Sequence, residues 1–326
     1  MAIQGLFSVL VFQLLLVLFV FTRANAQCLK LGFYEKTCPS AEAIVKQTTA
    51  QYIYRAPSLA APLLRMHFHD CFIRGCDGSV LLNSTKNNQA ERDAIPNLSL
   101  RGFQVIDAAK SALEKKCPGV VSCADILALV ARDAVSMING PFWQVPTGRR
   151  DGRVSIGSET FTDLPSPFAN ITQLKSAFSS KGLSVKDLVV LSGGHTIGTA
   201  HCFGFANRLY NFTGKGDTDP TMDPNYIAAL KKKCKPGDVS TIVEMDPGSF
   251  KKFDTEYYTL VNKRRGLFQS DAALLADSET KAYVRLQATS GYSFFKDFAV
   301  SMVKMGQIGV LTGKSGEIRK QCAFIN

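Results

Sequence analysis

The residues best suited to chemistry lie in RMHFHDCFIRGCDGSV, residues 65–80, which contains two of the four histidines of the chain, two cysteines and two aspartates. Arg65 and His69 are four residues apart within an apolar helical pattern from Leu59 to Cys71, so both side chains would share one helix face. On spacing alone, such a pair is more typical of a weak contact on an exposed helix surface.

A second histidine, His195, lies in LSGGHTIG, residues 191–198. A capping box at Ser184 and Asp187 predicts a helix that runs into two glycines, where the backbone can approach another group closely. A flat cofactor held between this segment and the helix around His69 would use both histidines.

Helices must position these residues. Ser122 and Asp125 form a capping-box-like start, and apolar residues at three-and-four spacing then predict a core helix as far as Ile138. Further helices are expected at 40–56, 102–116, 171–180, 225–233 and around 295–305. About ten helices without alternating strands indicate a mostly α fold, and LPSPF at 164–168 is the best internal boundary.

The start of the chain predicts export. An apolar run from Leu6 to Phe21 precedes Ala24-Asn25-Ala26, which indicates a signal peptide, residues 1–26, cleaved before Gln27. Because residues 2–22 contain no lysine or arginine, an uncleaved anchor is the alternative. After cleavage we expect no membrane association.

The nine cysteines fit an oxidising compartment, where disulfides are the default and a metal–thiolate site is the minority interpretation. Cys28 makes the number odd, and the other eight allow 105 pairings that spacing cannot resolve. Sequons at Asn83, Asn97, Asn170 and Asn211 are typical of a secreted glycoprotein.

The formal net charge is +11, with basic clusters at 231–235 and 263–265. These clusters could bind an anionic wall polysaccharide or form an ordinary solvated surface. No aromatic residues interleave with them, so the sequence predicts no nucleic-acid partner.

Three motifs together resemble the plant secretory haem peroxidases, the class III family: R-x-x-F-H-D-C at 65–71, L-S-G-G-H-T at 191–196 and GRRD at 148–151. The resemblance covers residues 27–326. It implies a monomeric haem-peroxidase domain with minor β structure, in two packed lobes with the haem between them. The distal lobe would comprise about 27–163 plus the C-terminal segment, and the proximal lobe about 164–300.

The resemblance also implies four disulfides. They would join Cys38 to Cys117, Cys71 to Cys76, Cys123 to Cys322, and Cys202 to Cys234. Cys28 has no family partner.

The resemblance assigns roles to the histidines. His195 would coordinate the iron of one haem b, with Asp271 accepting the other ring N–H and making the imidazole more basic. His69 would be the acid–base residue for peroxide, and Arg65 would stabilise the charge that develops as the O–O bond breaks. Asn97 would fix the tautomer of His69, and Glu91 would hold Asn97. If Asn97 carried a glycan, it could not have this role.

Other matched residues lie at the haem and its entrance. Phe68 would shield the haem on the His69 side, so that electrons leave donors at the haem edge. Pro165 would lie where phenols dock, and Phe168 would line the entrance. His67 and His201 match no haem-facing position, so we expect ordinary packed or surface histidines.

Two calcium sites are implied, and each begins at the residue after a key histidine. The first would use the side chains of Asp70, Asp77 and Ser79 and the carbonyls of Ile73 and Gly75. The second would use Thr196, Asp246, Ser249 and Asp254 with the carbonyl of Lys252. Its occupancy is less strongly implied, since the family more often has threonine at position 249 and a lysine lies beside the loop. Taken alone, either set of aspartates is typical of turns.

The expected function is that of a secreted, extracellular peroxidase of the cell wall, which oxidises phenolic donors one electron at a time through a ferryl intermediate, in lignin and stress chemistry and in peroxide removal. One alternative is a calcium-stabilised, wall-binding protein without haem chemistry. Another is a hydrolase using Ser192 and His195, but a G-x-S-x-G elbow needs glycine at 190, where the chain has Val190. The sequence does not identify the physiological donor.

Overall fold

The computed structural model describes residues 29–326, which are mostly helical. The predicted signal peptide and Cys28 lie outside these residues. Thirteen α-helices occur in the described part of the chain. They are α1 Ala41–Arg55, α2 Ala60–Ile73, α3 Phe103–Lys116, α4 Cys123–Ser136, α5 Thr160–Asp163, α6 Ile171–Ser180, α7 Val185–Ser192, α8 Ala206–Tyr210, α9 Pro224–Lys233, α10 Glu256–Asn262, α11 Gln269–Ala273, α12 Ser278–Thr289 and α13 Gly291–Met305.

Helix α4 is the centre of the core. Its start is fixed by the Ser122 hydroxyl, which accepts the backbone N–H of Asp125 at 3.1 Å. All of its residues except the last are buried, and it packs against α1, α2 and α3. The helix that carries Arg65 and His69 is thus held against the most buried element of the described chain.

The minor β structure is one antiparallel pair, β1 Thr199–His201 and β2 Ile242–Glu244, with Ala200 opposite Val243. It belongs to a second, smaller apolar cluster that includes Phe205 and Leu209, and it follows directly after the His195 segment. The pair therefore anchors the chain downstream of that histidine.

The two histidine-bearing segments lie against each other. A Cβ atom added to Gly198 would come within 2.7 Å of the side chain of Ala61, and one added to Gly194 would lie 3.5 Å from Leu64. Gly198 also has φ +96°, a conformation that L side chains rarely adopt. Gly198 thus allows the backbone after His195 to approach helix α2 closely, whereas the contact at Gly194 is an ordinary van der Waals distance.

The GRRD motif connects the core to the C-terminal segment. Buried Arg149 bonds to Asp125 at 2.8 Å, and its guanidinium donates to the carbonyl of Gly306. Asp151 accepts the backbone N–H groups of Ala124 and Arg319, both at 2.9 Å. The C-terminal segment therefore packs with the helices around His69, although the predicted division into lobes stays a prediction.

Four disulfides in the structure join the pairs that the resemblance implied: Cys38–Cys117, Cys71–Cys76, Cys123–Cys322 and Cys202–Cys234. The Cys71–Cys76 bridge closes the turn that follows α2, while Cys123–Cys322 fastens the C-terminal segment to α4. Among residues 29–326, none of the helices combines the length and apolar character that a membrane span requires.

Candidate active site

Helix α2 places Arg65 and His69 on one face, as their spacing predicts. The Nε atom of Arg65 donates to Nε2 of His69 at 3.0 Å. Arg65 is held from its other side by the hydroxyl of Ser99 at 2.7 Å and the carbonyl of Pro96 at 2.8 Å. Burial, and then the charge of Arg65, lower the pKa of His69 well below its usual value. The imidazole is therefore neutral, with the lone pair on Nε2 facing the guanidinium.

Asn97 sets the tautomer of His69. Its Oδ1 atom accepts a hydrogen bond from Nδ1 of His69, and its Nδ2 donates to the main-chain carbonyl of Glu91 at 2.9 Å. The link to Glu91 is thus made by the backbone. Asn97 is 1 % exposed, which leaves no room for a glycan, whereas the other three sequon asparagines are exposed.

His195 is held by a buried carboxylate. Its Nδ1 lies 2.8 Å from Oδ1 of Asp271, which also accepts the hydroxyl of Tyr257 at 2.9 Å, while Oδ2 accepts the N–H of Phe268 at 2.8 Å. Burial alone would raise the pKa of Asp271, but the His195 charge and these hydrogen bonds lower it below its usual value. The carboxylate is therefore ionised and orients the imidazole.

The outer nitrogen of His195 is available to a ligand. The side chain is 39 % exposed, and Nε2 has no hydrogen-bond partner among the described residues. An imidazole that is oriented through Nδ1 with a free Nε2 matches the donor that haem iron requires. Tyr257 was missed by the sequence interpretation, because a tyrosine in an apolar helix gives no signal of its own.

The first calcium set is a buried cluster of acids after α2. Burial, and then the charge of Asp77, raise the pKa of Asp70 well above its usual value. The hydroxyl oxygen of Ser79 and both carboxylate oxygens of Glu91 are buried without a hydrogen-bond partner. Burial also raises the pKa of Glu91 to about 8. Raised pKa values mean that these clustered acids resist ionisation together, and a bound cation would stabilise their ionised forms. Oxygen ligands of this kind fit a hard cation.

Ile73 and Gly75 lie in the same turn as these acids. Ile73 is the last residue of α2, and Gly75 has φ +106° and lies against the backbone of Gly309. A side chain at position 75 would collide with that backbone, so glycine is required for the turn to close.

The second calcium set surrounds the residue after His195. The Thr196 hydroxyl lies 3.3 Å from Asp246 and 3.1 Å from Asp254, and Ser249 donates to Asp254 at 2.7 Å. Burial, and then the charge of Asp254, raise the pKa of Asp246 to about 7, and one of its oxygens has no partner. The ammonium of Lys252 lies 3.7 Å from a carboxylate oxygen of Asp254 and forms a long ion pair with it.

The remaining predicted residues flank the two histidines. The Phe68 ring is half-buried, and its centroid lies 5.5 Å from that of His69. Pro165 is half-buried and Phe168 is 45 % exposed. This loop is joined to the residue before Asp271, because the backbone N–H of Ser270 donates to the carbonyl of Pro167 at 3.0 Å. The loop therefore lies near the His195 side of the site.

His67 is buried, and burial together with Arg149 lowers its pKa to about 3. Ligand atoms of His67, Asp70 and Cys71 lie within 4.8 Å of one another, but the Cys71 sulfur is committed to a disulfide and offers no thiolate. His201 is half-buried and stacks on Phe203 with a centroid distance of 5.7 Å. Neither residue forms a hydrogen bond with Arg65, His69, Asn97, His195 or Asp271 in the described structure.

Comparison with known proteins gives one consistent result. A family pattern described as Peroxidase matches residues 45–290. Peroxidase 27 of Arabidopsis thaliana is 64 % identical over 318 residues, covering 97 % of this chain and 98 % of the relative. Peroxidase 56 of the same species is 61 % identical over 94 % of this chain and 93 % of the relative. Peroxidase 1 of Oryza sativa subsp. japonica is 59 % identical over 93 % of this chain and 94 % of the relative.

Proposed function

Because the chain belongs to the plant class III peroxidase family, and is thus a haem enzyme that uses peroxide to oxidise donor molecules, we propose that its donors are small phenols and that it acts in the cell wall. The observation that carries the proposal is that the two imidazoles have different hydrogen-bond partners. His69 is neutral and fixed by Asn97, whereas His195 is held by an ionised carboxylate.

His69 and Arg65 act on the peroxide. Since Nδ1 of His69 donates to Asn97, Nε2 is the basic atom, and it takes the proton from the peroxide oxygen that will remain in the site. The same atom then returns the proton to the departing oxygen, which leaves as water. Arg65, fixed by Ser99 and Pro96, supplies the positive charge that stabilises this oxygen as the O–O bond breaks.

His195, oriented by Asp271, would hold the haem. When bound, haem would supply the redox chemistry, namely the two electrons that peroxide takes up, and two donor molecules would each return one of them. His195 would offer the lone pair of Nε2 to the iron, because Nδ1 carries the proton that it donates to Asp271. His195 itself, the Phe268 N–H and Tyr257 keep that carboxylate ionised, so the imidazole stays electron-rich.

Two calcium ions support the histidines in this proposal. Asp70, Asp77 and Ser79 with the carbonyls of Ile73 and Gly75 hold the first ion. Thr196, Asp246, Ser249, Asp254 and the carbonyl of Lys252 hold the second. The unpartnered oxygens of Ser79 and Asp246 and the raised pKa values of the acids support both assignments, because a cation would satisfy all of them. Each ion would fix the residue that follows a histidine.

Phenolic donors enter beside Pro165 and Phe168 in this proposal. The half-buried Pro165 and the exposed ring of Phe168 form an apolar edge to which an aromatic ring can bind. Phe68 covers the His69 side, which favours electron transfer over oxygen insertion. Four disulfides support export to an oxidising compartment, and the net charge of +11 supports retention by anionic wall polysaccharide.

The test is the haem absorption band of the purified protein before and after peroxide, followed by turnover of a simple phenol. His69→Leu should keep the haem band but lose about two to four orders of magnitude in turnover, because it removes the acid–base residue. His201→Gln is the matched control, since the Nδ1 of His201 has no partner to lose. Absence of a haem band, or near-normal turnover of His69→Leu, would refute these roles.

A further inference from the structure

A surface groove separates the loop at 141–144 from helix α13. Its volume is about 680 Å³, within the range of small-molecule sites. The lining includes Phe142, Trp143, Tyr292, Phe295, Val300 and Val303. Nothing in the peroxidase reaction uses these residues, and none of them belongs to the two histidine sites or the calcium sets.

The groove exists because α13 is apolar on two faces. One face, with Phe294, Phe298 and Met302, is buried in the core, as the helical pattern predicts. Phe295 and Ala299, on a neighbouring face, are only half-buried and line the groove. The helix has more apolar surface than the core covers, so part of it remains open to a ligand.

Large apolar side chains are exposed at the rim. Phe142 is 57 % exposed, Tyr292 80 % and Val300 51 %. The Phe142 ring is held from behind by the Arg132 guanidinium, 4.8 Å from its centroid. Trp143 is 6 % exposed, lines the groove from below and packs edge-on against Phe298. Exposed aromatic side chains beside a buried indole suit a planar ring.

The polar part of the groove is cationic. Lys296 and Lys304 both line it. Lys304 is paired with Asp187 at 3.0 Å, whereas Lys296 forms no ion pair within 4.0 Å in the described structure. The neighbouring acid Asp297 is already engaged by Lys186 and Gln287. One uncompensated positive charge therefore lies beside the aromatic walls.

We propose that this groove binds a small aromatic carboxylate, with its ring between Phe142 and Tyr292 and its carboxylate on Lys296. Charge complementarity selects this occupant. A second copy of the chain would bring another basic surface of a protein with net charge +11 against Lys296, and a neutral ring would leave that charge unused. None of the lining residues belongs to the predicted haem edge, and binding needs no peroxide.

The experiment uses the holoenzyme without peroxide and 3-phenylpropionate, which has a ring and a carboxylate but no oxidisable phenol. Trp143 is the one tryptophan of the sequence and lines the groove, so its fluorescence reports occupancy there, while the haem band reports binding at the haem edge. Calorimetry gives the affinities of this acid and of neutral 3-phenylpropan-1-ol. Because binding is measured without turnover, failure of the peroxidase roles would leave this test unaffected.

We expect a saturable change in Trp143 fluorescence without a haem-band shift, and a two- to fivefold preference for the acid, the range of an exposed ion pair. Lys296→Gln should abolish the preference, whereas Lys314→Gln, the same change at an exposed lysine outside the groove, should preserve it. Tyr292→Ala should weaken both ligands.

The proposal is overturned if the fluorescence change does not saturate, if acid and alcohol bind equally, or if both lysine variants lose the preference. It is also overturned if sedimentation shows a dimer that Val300→Glu dissociates, because the occupant of the groove would then be a second copy of the chain.

Discussion

Replacing Asn97 with valine would break the hydrogen-bond chain behind His69, because it puts an apolar side chain in place of the amide. The variant removes the acceptor for Nδ1 of His69 and the donor to the Glu91 carbonyl, and both groups are buried. A buried polar group without a partner costs about 1–3 kcal/mol, so we expect a loss of about 2–6 kcal/mol in the free energy of unfolding.

The kinetic effect should be smaller than that of removing His69. Arg65 still donates to Nε2 at 3.0 Å, and the Phe68 ring still packs against the imidazole, so the ring keeps part of its orientation. The tautomer, however, is no longer enforced. Loss of such an orienting partner typically costs about 10–100-fold, whereas loss of the acid–base residue costs about 10²–10⁴-fold.

The assay is the second-order rate constant for holoenzyme and peroxide, followed by the haem band in a stopped-flow instrument, with thermal unfolding measured on the same samples. Asn87→Val is the matched control, because Asn87 is exposed in the preceding loop and forms no side-chain hydrogen bond in the described structure. A folded Asn97→Val protein whose rate constant stays within twofold of the parent would refute the assigned role of Asn97.

Three further outcomes are expected. Chelation of calcium should lower the unfolding temperature of the parent, and Asp246→Asn should reduce that response because it removes one anionic ligand of the second site; an unchanged response would contradict the assignment. Hydrogen bonds lower the pKa of Asp187 despite its burial, so the stability it contributes is present above pH 3.8 and is lost on acidification below it. In urea unfolding at pH 2–7, the free energy of unfolding of Asp187→Asn should therefore fall less at acid pH than that of the parent. An equal fall in both proteins would contradict this prediction. Peptide mapping by mass spectrometry should find Asn97 without glycan, since it is buried, and a glycan there would exclude its bond to His69.

Local sequence predicts the helices that have strong apolar periodicity. The predicted helix at 171–180 matches α6, and the capping box at Ser184 starts α7 as expected, because side chains within a few residues fix these starts. The short helices α5, α8, α10 and α11 were not predicted, and neither was the longer α12. Each of the four short helices has only four to seven residues, so tertiary contacts rather than local periodicity decide whether they form. Helix α12 has twelve residues, but of its buried residues Thr280, Val284 and Gln287 only the valine is apolar, so it has no apolar pattern to predict it.

The sequence alone determined which residues could do the chemistry. Motif spacing selected Arg65, His69 and His195, and helical periodicity placed the first two on one face, since that relation depends only on residues four apart. The resemblance to a known family supplied Asn97, Asp271 and the cysteine pairs, which no local pattern links.

Tertiary structure decided the protonation state and the orientation of those residues. The neutral state of His69 depends on burial and on the charge of Arg65, and its tautomer depends on Asn97, which is 28 positions away. The ionised state of Asp271 depends on His195, on the Phe268 N–H and on Tyr257, which together outweigh its burial. The open face of α13 was likewise invisible in its apolar pattern. Burial and long-range hydrogen bonds are properties of the packed chain, so the sequence can name the groups but only the fold sets their charge, tautomer and exposure.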